Sequence, residues 1–195
     1  MLLSASRLID IPVMSLQTGG QLARTKLPLI DPRNLTILAY ELAGPLLNEQ
    51  PSFLRISDVR ELSNLGLIVD SSDEFIGLDD VIKIKEVYEF QFDVLGKTVV
   101  DEKKHRLGKV TGYSLEPETF TIIQLNVKRP LLKSFTDTEL IIHRSQIVEV
   151  DDTTITIQND EREHAPVQRA AQAYTNPFRG SAQPETIKSS QSSSS

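Results

Sequence analysis

Over residues 120–127 apolar and polar positions alternate with a period of two. Ile123, Leu125 and Val127 fall on one side and Phe120, Ile122, Gln124 and Asn126 on the other. This predicts a strand buried along one whole side and only at the start of the other. The same pattern stands 85 positions earlier, where Leu38, Tyr40 and Leu42 oppose Leu35, Ile37, Ala39 and Glu41. Leu107 then matches Leu22, Glu116-Pro117 matches Asp31-Pro32, and Pro130-Leu131-Leu132 matches Pro45-Leu46-Leu47. Farther on, Leu140-Ile141-Ile142, Ser145-Gln146-Ile147 and residues 153–157 repeat 53–69 at an offset of 88, so three residues were added between Leu132 and Ile141. A surface loop accommodates such an insertion at least cost. The chain is a duplicated module.

Each copy reads as strand, tight turn, strand. Asp31-Pro32-Arg33-Asn34 and Glu116-Pro117-Glu118-Thr119 suit type I turns, with Pro presetting φ and the acidic side chain capping the first position. Gly108 and Gly112 mark bends in the preceding strand, which a small sheet curling into a barrel needs. Gly19-Gly20 makes an earlier turn, and the second copy's counterpart of Gly20 is His105, where positive φ is expected. Residues 5–16 read as an extended lead-in and first strand. After the Gly44–Pro51 loop, Ser57-Asp58 predicts a cap for one helical turn over Val59–Leu62, and Leu65–Val69 a closing strand. Around residues 81–88 two readings stand: a helix capped by Asp79-Asp80 with Val81, Ile84 and Tyr88 on one side, or a strand with Ile82 and Ile84 alternating against lysines. The expected fold class is all-β, two tandem small β-barrels. Repeat 1 covers 1–72, a linker 73–90, repeat 2 91–160, and a disordered Ser/Gln-rich tail 161–195. Within the tail, Val167, Ala170, Ala171 and Tyr174 share helical spacing, giving either a docking helix over 166–174 or plain tail.

Composition narrows the class. The chain has 195 residues, 39% of them hydrophobic and 25% charged, which is globular, and modules of this size are expected to pack on each other. The absence of cysteine removes disulfides, thiol nucleophiles and cysteine-based zinc sites together and favours a reducing, cytoplasmic setting. No signal peptide is expected from Met1–Arg7, and the apolar run 36–47, broken by Glu41 and Pro45, falls short of the roughly 20 residues of a membrane helix. Formal charge is −6 overall. Basic against acidic residues number 7 to 11 in 1–84, 10 to 13 in 85–160 and 4 to 3 in 161–195. Both modules are acidic, which disfavours strong non-specific nucleic-acid binding.

At Val94-Leu95-Gly96-Lys97-Thr98-Val99-Val100, Leu107-Gly108-Lys109-Val110 and Ser145-Gln146-Ile147, the sequence resembles the PRC-barrel domain family, which takes in the H subunit of the photosynthetic reaction centre and the C-terminal domain of a small-subunit ribosome-maturation factor. The resemblance covers about 88–160 and, through the repeat, about 4–72. In the first copy Ala23 replaces the Gly of Leu-Gly-Lys-Val, and Leu27-Pro28 replaces Gly112-Tyr113. The resemblance implies small β-barrels that serve as interaction or assembly modules, with no shared catalytic motif.

The chemistry-bearing residues are sparse. His105, His143 and His164 show no metal-ligand spacing, and the acidic pairs Asp79-Asp80, Asp101-Glu102 and Asp151-Asp152 sit at predicted turns or element ends. No nucleophile elbow, phosphate loop or dinucleotide fingerprint is present. No catalytic, cofactor-binding or metal-binding residue is expected. One departure from acidity is a candidate interaction patch, Lys103, Lys104, His105, Arg106 and Lys109 with Lys128, Arg129 and Lys133, which meets RNA or an acidic partner if both groups share one end of the second module. The expected function is a non-enzymatic module that binds a protein partner through edge strands, the Gly44–Pro51 and Lys128–Asp137 loops and the Tyr174–Phe178 segment. The alternatives are a role in RNA or ribosome maturation, or peripheral membrane attachment as an adaptor.

Overall fold

A computed structural model describes residues 1–129 and 139–158. The expected tail with its helix over 166–174, together with His164, Lys133 and Pro130–Leu132, lies outside the described residues.

The turn predicted at Asp31-Pro32 joins β3 (Gln21–Asp31) to β4 (Thr36–Ala43), and the turn at Glu116-Pro117 joins β10 (Arg106–Glu116) to β11 (Thr121–Lys128). The Asp31 carboxylate caps its turn by accepting the Arg33 N–H at 3.1 Å. Around these two hairpins stand β1 (Leu3–Ser4), β2 (Pro12–Ser15), β5 (Ser52–Arg55), β6 (Glu61–Ser63), β7 (Gly66–Val69), β8 (Phe75–Gly77), α1 (Ile82–Phe90), β9 (Thr98–Asp101), β12 (Glu139–His143), β13 (Ile147–Val150) and β14 (Thr154–Ile157). In the first half the strand order is β6-β7-β2-β3-β4-β5, extended past β5 by β8. In the second it is β13-β14-β9-β10-β11-β12. The β2–β7 and β9–β14 pairs are parallel and the other pairs antiparallel, so the same mixed topology occurs twice.

The correspondence reaches single residues. Positive φ occurs in step at Gly19 (67°) and Lys104 (65°), and at Leu35 (51°) and Phe120 (52°). Ser15 N–H donates to Gly20 O at 2.9 Å and Asp101 N–H to His105 O at 3.0 Å, so the turns correspond but the first is one residue longer. The strained turn residue of the second copy is thus Lys104, one position before the expected His105. Gly108 is required because a Cβ there would lie 2.3 Å from Lys128 O. Where the first copy has Ala23 instead, the small residue stands on the facing strand: a Cβ on Gly44 would come within 3.3 Å of the Ala23 Cα.

The expectation of two tandem closed barrels is corrected. The protein is predominantly β with one α-helix among the described residues, and its strands form an open mixed sheet. β6 is paired neither to β5 nor to β8, which covers the outer side of β5, and β12 is not paired to β13. The connections explain this: three-residue 3-10 turns at Ile56–Asp58 and Arg144–Gln146 lead the chain away before the next strand starts. The first of these also replaces the helical turn expected at Val59–Leu62, since Glu61–Ser63 pairs as β6. The lead-in is likewise no continuous strand, because Ala5–Leu8 forms a 3-10 turn. One apolar cluster runs through both halves, joining Leu8, Ile37, Tyr40, Leu54 and Leu67 to Val94, Val99, Tyr113, Ile122, Leu125 and Ile155.

Of the two readings for residues 81–88, the helix is the one formed. Ile84, Val87 and Tyr88 pack on Leu29, Ala39 and Phe53 of the first half, while Ile82, which a strand would have buried with Ile84, is 78% exposed. Asp79 and Asp80 do not cap α1. Asp80 accepts the Gly77 N–H at 2.6 Å and Asp79 pairs with Lys85. Lys83 instead anchors the helix, its ammonium 3.2 Å from the buried Asp31 carboxylate.

Candidate functional site

Two β-bulges at equivalent places shape a groove between the halves. The β3–β4 register slips between Thr25 and Pro28, and the β10–β11 register between Val110 and Gly112. An extra residue in one strand bends it and redirects its side chains. Lys26, Leu27, Pro28 and Glu41 line the groove from the first half, and their counterparts Thr111, Gly112, Tyr113 and Asn126 line it from the second. The end of α1 with Phe92 and the turn carrying Ala5 and Ile9 complete the walls, enclosing ≈ 740 Å³. A recess of this size falls in the range of ligand and side-chain pockets.

The walls are mainly apolar, and two fully equivalent positions differ in charge. Glu41, 8% exposed, accepts a hydrogen bond from the Lys26 ammonium at 2.6 Å. That hydrogen bond and the carboxylate's charge raise the pKa of Lys26. Opposite them stand neutral Thr111 and Asn126. Burial pushes the Tyr113 phenol up, with Asp93 adding to the shift, and burial followed by Tyr113 does the same to Tyr40. Tyr113, the one of the two that lines the groove, stays neutral at physiological pH, so the groove presents hydrogen-bonding groups and one ion pair on an apolar surface. Leu27, 55% exposed, together with Ile9 and Leu95, leaves large apolar side chains at its rim.

Lys97, from the Leu-Gly-Lys stretch, has a fixed position. It is 6% exposed, its ammonium lies 4.4 Å from the centroid of the Phe92 ring, and it donates to Asp151 O at 3.0 Å and to Asp152 O. Burial lowers its pKa, against the opposing pull of Asp152, Asp93 and Asp151. These contacts tie the start of β9 to the β13–β14 turn, which is structural work.

The described members of the candidate patch lie at one end of the second half's sheet. Lys103, Lys104 and His105 occupy the β9–β10 turn, Arg106 opens β10, and Lys109 lies directly opposite Lys128 in the β10–β11 ladder, with Arg129 next in the chain. His105 Nδ1 lies 2.9 Å from Asp101 Oδ2, and Asp101 Oδ1 accepts the His105 N–H at 2.8 Å. Burial works to raise the Asp101 pKa, but the hydrogen bonds and charge of His105 outweigh it and the net shift is downward. His143 is far from this turn in the sequence and caps the Arg144–Gln146 turn, accepting the Ser145 N–H. Among the described residues no group of three or more His, Asp or Glu side chains is arranged to hold a metal ion. Among the same residues no helix is long and apolar enough to cross a membrane.

The Glu41–Lys26 pair and the groove around it were not anticipated from the sequence. The alternation did place Glu41 opposite the buried face, but its partner lies across a bulged strand pair, and only the bulge aligns the two. No model of a known protein family matches the chain, and no curated protein is significantly similar to it.

Proposed function

We propose that this protein is a non-enzymatic binding module of the cytoplasm, built from two PRC-barrel-like repeats whose sheets curl without closing, and that it seats an apolar segment of a protein partner in the groove between the repeats. The observation that carries this reading is the groove itself. Counterpart residues of the two halves line it, and exposed Leu27, Ile9 and Leu95 stand at its rim. Large apolar side chains beside a concave surface with a few fixed polar groups are the usual makings of an interaction site. Lys26 and Glu41 supply a donor and an acceptor to the backbone of a bound segment.

Affinity purification from the native cell, run in parallel with the wild-type chain and with Leu27→Asp, tests the reading. Leu27 is half in solvent, so the charge is tolerated by the fold. A protein captured by the wild type and lost with Leu27→Asp is the expected result. Recovery of the wild type only as a free monomer, under conditions that preserve weak complexes, contradicts it.

A further inference from the structure

The duplication provides an internal control, because a side chain present in one half and missing from the other, on the same backbone, is not required by the fold. Applied to the whole chain, this comparison singles out the basic end of the second half. Lys103, Lys104, Arg106, Lys109, Lys128 and Arg129 correspond to Thr18, Gly19, Gln21, Arg24, Ala43 and Gly44. Only Arg24 retains a charge, and it is held by Asp10 at 2.6 Å. The first half therefore makes the corresponding turn, one residue longer, and the same hairpin end almost without cations.

In the second half the cations are placed at some cost. Lys109 and Lys128 are both exposed and face each other directly across β10 and β11. Like charges in register on neighbouring strands destabilise a sheet. Neither makes an ion pair among the described residues, although Glu139 stands in register with Lys128 on its other side. Arg106 faces Val100 and Lys109 faces Thr98, two residues apart on β9, so both cations project from the same face of the sheet. The result is a contiguous row, Arg106, Lys109 and Lys128, continued by Lys103 and Lys104 at the turn.

We propose that this end of the second half binds a short acidic segment of a partner protein, at a surface separate from the groove. An anion laid between Lys109 and Lys128 turns their repulsion into two attractions, and the Arg106 guanidinium suits paired hydrogen bonds to a carboxylate. The size and surroundings of the patch select the partner. Asp101, Glu102 and Glu139 adjoin it, Asp151 and Asp152 stand at the neighbouring β13–β14 turn, and the chain carries −6 overall. A long polyanion such as RNA extends past the patch onto like charge, whereas an acidic peptide of a few residues stays within it.

Fluorescence polarisation with a short, labelled, Glu-rich peptide tests this on the full chain. Binding at low ionic strength that fades as salt rises is expected. Two variants separate recognition from folding. Lys109→Thr/Lys128→Ala removes the facing charges, and Lys103→Thr/Lys104→Gly removes the turn charges while placing glycine at the positive φ of position 104. Each is expected to weaken peptide binding, the first by about tenfold or more, while the urea midpoint of neither falls. Absence of binding at low salt, equal binding by both variants, or preference for a single-stranded RNA of matched charge overturns the proposal.

Discussion

Thr36 and Thr121, the same position in the two repeats, face each other across β4 and β11 with their hydroxyl oxygens 3.4 Å apart. On either side Ile37 N–H donates to Phe120 O at 3.0 Å and Ile122 N–H donates to Leu35 O at 2.9 Å. Each bond is the other with the halves exchanged. The sheets therefore join by a self-complementary contact, as two subunits related by a twofold axis do, with the axis passing between the two threonines.

Equivalence of the halves predicts equal penalties. Ile37 and Ile122 are counterparts, both buried in the shared cluster. Ile37→Ala and Ile122→Ala are each expected to cost about 2–5 kcal/mol, as deletion of a buried branched side chain does. Urea denaturation of the two variants checks this, and a marked inequality would show that the two halves carry unequal shares of the core.

The paired turns predict opposite effects from opposite substitutions. Lys104 is held at φ 65° and Gly19 at φ 67°. A side chain in the left-handed region is disfavoured by roughly 1–2 kcal/mol, partly offset by the greater freedom of glycine in the unfolded chain. Lys104→Gly is expected to raise the thermal midpoint and Gly19→Ala to lower it, by scanning calorimetry.

Three buried groups shape the alkaline stability profile. Burial lowers the pKa of Lys97 from 10.5, so just below that value the unfolded chain binds more protons than the folded one and stability rises with pH. Tyr40 and Tyr113 have pKa values raised above 10.0, so beyond that pH the unfolded chain ionises first and stability falls. Lys97→Met should flatten the rise, and Tyr113→Phe should carry alkaline unfolding to higher pH. Urea midpoints measured across the alkaline range test both slopes.

The helix is secured to the first half by Lys83 on Asp31 and by the edge-to-face contact of Tyr88 with Phe53, ring centroids 5.3 Å apart. Asp31→Ala removes the anchor and leaves the Arg33 N–H without its cap, a loss of about 1–3 kcal/mol. Hydrogen exchange in α1 should quicken in Lys83→Ala while β9–β11 amides keep their protection.

The doubling was legible in the sequence because period-two alternation and turn chemistry both survive at a fixed offset. Burial along β11 was less so. The alternation put Ile123 with Leu125 and Val127, but the register slips between Ser114 and Leu115 and Ile123 is only half-buried, whereas Phe120 and Ile122 are buried as expected for the start of the other side. The equivalent slip between Leu29 and Ile30 does the same at Leu38. The slips at Gly108 and Gly112 carry a glycine, but those at Ser114–Leu115 and Leu29–Ile30 do not, so the parity argument carried across them uncorrected. The helical reading of 81–88 stayed open because Ile84 and Tyr88 fit both periods; burial of the helix face against Leu29, Ala39 and Phe53 decided it. Of the candidate patch, the adjacency of Lys109 to Lys128 follows from hairpin register, whereas the groove depends on how two hairpins meet, which no local pattern encodes.

The most direct test of the account is an NMR measurement of the contact across the junction. With the two threonine methyls selectively labelled, a nuclear Overhauser effect between Thr36 and Thr121, accompanied by slow exchange of the Ile37 and Ile122 amides, is the predicted result. Loss of that cross-peak with free exchange at both amides would mean that the halves do not meet there and that the groove between them is not formed.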